Sequence, residues 1–117
     1  MTNPTLAEQY LAQLRTTLVD RTADVAAGFA GVRDASHAAS VLEQLARAEV
    51  VASAAALLEA IQTHCGEDGP DCVLEQFRRE LRRRVFSFSG QSSDALQSGV
   101  RVVQRDAWVN IAQQAGA

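Results

Sequence analysis

Residues 36–65 contain neither proline nor glycine, and this thirty-residue run constrains the chain more than any other stretch. It holds Val41, Leu42, Leu45, Val50, Val51, Leu57, Leu58 and Ile61 among many alanines. Alanine has the best helix propensity and leucine is close behind, so the run predicts one long helix. Its apolar residues keep to no single side. In the first half they fall at 41, 45, 48 and 52, while 50, 54, 57, 58 and 61 lie roughly opposite at 100° per residue. Only Glu49, Ser53 and Glu59 interrupt the stretch from Ala48 to Ile61. A helix apolar nearly all round is expected to be buried on most sides.

The punctuation places three further helices around it. Asn3 can cap a first helix, Pro4 suits its first position and Glu8 favours its dipole. Leu6, Ala7, Tyr10, Leu11, Leu14, Leu18, Val25, Phe29 and Val32 form its apolar stripe, with Arg21 at the edge. Gly28 and Gly31 weaken its end, and Asp34 or Ser36 can cap the long helix. Gly66 suits the residue after Cys65, and residues 67–71 read as a turn with Asp68 or Asp71 as a cap. Val73, Leu74, Phe77, Leu81 and Val85 give a third helix its inner face. Gly90 and the serines around it end that helix, Ser92 or Ser93 caps a fourth, and Asp94 favours its dipole. In the fourth, Leu96, Val100, Val103, Ala107 and Ile111 form the main stripe and Val102 and Val109 a second one. Trp108 points away from both, and the tail from Gln113 is expected to fray.

The expected fold is therefore all-α: four helices near 4–30, 36–65, 72–87 and 93–114, in one helical domain over residues 1–117. Hydrophobic residues make up 47% and charged residues 21%, which excludes a disordered chain. The second helix and the second stripe on the fourth carry more apolar surface than one small bundle covers, so a homodimer with the second helix near its seam is the economical reading.

No apolar run reaches membrane-spanning length, and the first residues lack the features of a signal peptide. The expected setting is cytoplasmic, in a bacterium or phage-infected cell, with no membrane partner. All eleven basic residues are arginine, a skew that fits a GC-rich genome better than a mechanism.

Signals for chemistry are sparse. Cys65 and Cys72 bracket the turn between helices two and three, near enough for a disulfide. A cytosolic setting favours two reduced thiols instead. With His64 they fall short of a metal set, because six residues separate the cysteines where zinc pairs have two to four. His37 opens the long helix without the lysine and glycine that attend a phosphotransfer histidine. The chain has no Gly-x-Ser-x-Gly, no glycine-rich phosphate loop and no Glu-x-x-His pair. No enzyme activity, metal or cofactor is expected.

The arginine cluster is the one local feature that points to a partner. Arg78, Arg79, Arg82, Arg83 and Arg84 crowd one helix of a chain with net charge −3, and Arg101 and Arg105 can extend the patch. A solvated helix face paired with Glu75 and Glu80 is the ordinary outcome of such a run. Of the functional readings, an acidic surface on a protein partner comes first. Arg78, Arg79, Arg82, Arg83, Arg101 and Arg105 are the contact residues in that reading, for a small adaptor, chaperone or inhibitor of phage or plasmid type. A nucleic-acid regulator using the third helix on phosphates comes second, since a pI near 5.3 argues against general nucleic-acid binding.

Overall fold

The computed structural model describes residues 5–65, 70–88 and 95–116. They form four α-helices, α1 (Leu6–Ala30), α2 (Ala35–Cys65), α3 (Pro70–Ser87) and α4 (Ala95–Ala115), with no strand among the described residues. The all-α reading holds, with each helix end within about two residues of its expected place. Asn3, Pro4, Gly66, Asp68, Gly90, Ser92, Ser93 and Asp94, to which caps and turns were assigned, lie outside the described residues.

Thr5 caps α1, and Glu8 does more than favour its dipole. The Glu8 amide donates to Thr5 Oγ1 at 3.2 Å, and the Thr5 amide donates to Glu8 Oε2 at 3.0 Å. This reciprocal capping box satisfies two otherwise orphaned amides. Of the two candidate caps for α2, Asp34 takes the role: its Oδ1 accepts from the His37 amide at 2.8 Å. Pro70 opens α3, where its missing N–H costs nothing.

One cluster of buried side chains draws on all four helices, with Leu11 and Leu14 from α1, Ala54 and Leu58 from α2, Phe77 and Leu81 from α3, and Trp108 and Ile111 from α4. Trp108 is a correction to the sequence reading: it is 3% exposed and lies inside this core. Because α4 packs against both α2 and α3, its buried sector is wider than one stripe and takes in Trp108, Ala112 and Ala115.

The helices differ in length, and this explains the divided pattern of α2. Helix α2 is about 46 Å long and α3 about 27 Å, at 1.5 Å per residue. Hence α3 cannot cover all of α2. Near its C-terminal half, Val50, Ala54, Leu58 and Ile61 enter the four-helix core. Near its N-terminal half, Ser40, Glu43 and Arg47 fall within about 60° of Leu58 on the helical wheel, yet all three are exposed. There Val41 and Gln44 turn toward α1 instead, close against Gly28. Helix α1 lies against both halves, with Arg15 paired to Glu59 at 3.2 Å near the other end, so the alternation that reads as all-round burial records the loss of a further neighbour along one helix. Phe29 and Val32 continue the α1 stripe beyond the core and stay 54% and 41% exposed.

Gly28 is also reassigned. A Cβ there would lie 3.0 Å from Val41 Cγ2 and 3.2 Å from Gln44 Oε1, so glycine lets the two helices approach. Helix α1 runs on to Ala30 and ends at Gly31, whose amide donates to the Gly28 carbonyl at 3.1 Å.

Helix α4 continues past Gln113 to Ala115. Tyr10 Oη donates to the Gln114 carbonyl at 2.6 Å, Arg78 Nε donates to the Ala115 carbonyl at 2.6 Å, and Ala115 is buried. Gly116 follows with φ +77°, the left-handed conformation that suits glycine after a helix.

Candidate functional site

Helix α3 places its apolar residues inward at 73, 74, 77 and 81, so the arginines between them line its flanks and outer face. The fold then divides them by task. Arg78 spends its guanidinium on the end of α4. Arg84, exposed, lies over the Trp108 ring with 5.7 Å from its central carbon to the centroid. Arg101 covers the Phe88 ring at 5.5 Å and donates to the Ser87 carbonyl at 3.4 Å, tying α4 to the end of α3. All three contacts join α3 to α4.

The others face solvent. Arg83 pairs with Glu80 at 3.4 Å on its own helix, and Arg82 reaches Glu75 at 4.0 Å. Both pairs are exposed on the arginine side, where such contacts are worth at most about 1 kcal/mol. Among the described residues, Arg79 and Arg105 make no ion pair or hydrogen bond.

Arg82 on α3 and Arg105 on α4 both line a groove between the two helices. Val85, Phe86, Val109, Ala112 and Gln113 also line it, its volume is about 410 Å³, and no carboxylate is among the described lining residues. Phe86 stands 80% exposed at its edge. Sequence reasoning placed the two arginines on a common patch but missed the apolar floor. It assigned Val85 to the inner face of α3, where Val85 does pack partly buried against the core, and Val109 to a second stripe. The available signal was Val109 four residues after Arg105, beside a phenylalanine at the end of an arginine-rich helix.

A larger groove of about 730 Å³ runs between α1 and α4, over Leu14, Phe77 and Ile111. Its described polar lining is Tyr10, Gln13, Thr16, Thr17 and Gln114, and no carboxylate, imidazole, thiol or cation is among the described lining residues. Cys65 and Cys72 are not joined to each other: Cys65 Sγ donates to Gln76 Oε1 at 2.9 Å, and Cys72 is exposed. His64 lies exposed on the last turn of α2. Among the described residues, no three histidine, cysteine, aspartate or glutamate side chains gather into a metal site. No helix among them is long and apolar enough to cross a membrane.

The comparisons with known proteins find nothing. No family model, curated protein or solved structure matches the chain.

Proposed function

We propose that this chain is a small, non-catalytic docking protein that binds another protein through the outer surface of α3 and α4. The observation that carries the reading is the pairing of cations with an exposed aromatic: Arg79, Arg82 and Arg105 lie on the two helices that also present Phe86. Arginine and aromatic residues are the side chains most enriched where proteins bind proteins. Phosphate contact alone needs the arginines but gives the apolar floor nothing to do, so a nucleic-acid regulator remains the second reading.

The proposal includes a homodimer with the outer face of α2 at its seam. Leu42 is 42% exposed there, Ala56 and Ala60 are exposed, and Glu49 is the charge among them. Small side chains let two helices approach closely, and a second copy would cover a face that one chain leaves in water.

Crosslinking in the native host tests the docking reading. A photoreactive residue at Arg79 should attach one protein partner, and Arg82→Gln with Arg105→Gln should weaken that attachment. Tight, salt-steep binding to random duplex DNA between about 50 and 200 mM salt would favour the regulator instead.

A further inference from the structure

We infer that the α3–α4 groove takes an acidic amphipathic helix of the partner, with a large apolar side chain inserted between Arg82 and Arg105. This rests on the docking reading above and names the chemistry of its partner. At about 410 Å³ the groove is near the small end of ligand-sized clefts, about 300–1,000 Å³. It receives one or two side chains, not a folded surface. The floor of Val85, Val109 and Ala112 asks for an aliphatic or aromatic anchor.

Charge selects the rest of the occupant. Arginines stand on both walls, no acid is among the described lining residues, and Arg79 continues the positive surface along α3. The nearby acids among the described residues are Glu75, 4.0 Å from Arg82, Glu80, paired with Arg83 at 3.4 Å, and Asp106, exposed and next in sequence to Arg105. None of them lines the groove. Guanidinium groups bind carboxylates with two parallel hydrogen bonds, so glutamates flanking the anchor would engage both walls. Backbone geometry favours a helix over a strand, because the described residues offer no strand edge for an extended peptide to join. A helix presenting an anchor at i with acids at neighbouring turns matches a cleft between two packed helices.

The test uses the full chain and a short fluorescent helical peptide. The peptide carries leucine and phenylalanine anchors on one face and glutamates flanking them. Two control peptides replace the glutamates by lysine or the anchors by alanine. Anisotropy should show binding of the acidic peptide, at least about tenfold weaker for either control and for Arg82→Gln with Arg105→Gln. Amide shifts on binding should centre on Val85, Val109 and Ala112. Arg82→Lys with Arg105→Lys, which keeps the charge, should recover part of the loss, and circular dichroism of each variant checks that the fold is intact. Equal binding of the lysine peptide, shifts centred on the α1–α4 groove or on α2, or no binding at all would overturn the inference. So would single-stranded DNA binding more tightly with the same shifts. A host protein still crosslinked at Arg79 under any of these protein-side outcomes would leave the docking reading standing and refute only the acidic helix.

Discussion

Arg78 Nε lies 2.6 Å from the carbonyl oxygen of Ala115, so a member of the arginine-rich helix closes the end of another helix. The Arg78 guanidinium also packs over Gly116, where its Nη2 lies 3.3 Å from the place a Cβ would occupy. Arg78→Gln should therefore destabilise the fold by about 1–2 kcal/mol, the loss of a charge-assisted hydrogen bond in a half-buried place. Arg79→Gln, on the exposed face, should change stability by less than about 0.5 kcal/mol. Urea denaturation of the two variants side by side checks both.

Trp108 is the single tryptophan and sits in the core under Arg84. Its emission should be blue-shifted and shielded from acrylamide in the native state. Trp108→Ala should cost about 3–5 kcal/mol, as for other large core truncations. Arg84→Gln should cost only about 0.5–1 kcal/mol, because the stacked cation is exposed. An emission maximum typical of exposed tryptophan in the folded protein would contradict this packing.

Two helical glycines should respond in opposite directions. Nothing lies within 4 Å of a Cβ built on Gly99, so Gly99→Ala should stabilise by about 0.5–1 kcal/mol through helix propensity alone. At Gly28 the new side chain meets Val41, which is 1% exposed and stiff about its first torsion. Gly28→Leu should destabilise by about 1–3 kcal/mol. Adding Val41→Ala should recover part of that loss, seen as a coupling energy in a double-mutant cycle.

Light scattering after size exclusion should give twice the 12.6 kDa chain mass for the proposed dimer. Ala56→Arg, which adds bulk and charge to the outer face of α2, should return a folded monomer. A wild-type monomer at micromolar concentration would remove α2 as a seam.

Periodicity determined much of this protein by itself. The stripes at 7, 11 and 14 and at 73, 77 and 81, the proline at 70 and the uninterrupted run of α2 are local features, and they place four helices and most of the core. The change of apolar face along α2 was equally visible. Its meaning was not, because it depends on how far α3 reaches along its neighbour, and only the packing sets that. Trp108 was misplaced for a related reason: a wheel shows one helix, while burial on α4 is fixed by two neighbours at once. Tyr10 and Arg78 hold the tail of α4 from 104 and 37 residues away, a distance no local pattern spans. The candidate site divides along the same line. Sequence collected the arginines, but tertiary structure decided that Arg78, Arg84 and Arg101 contact the neighbouring helix while Arg82 and Arg105 line one groove with an apolar floor. Helix propensity and amphipathicity act over a few residues, whereas a groove exists only once two helices have packed.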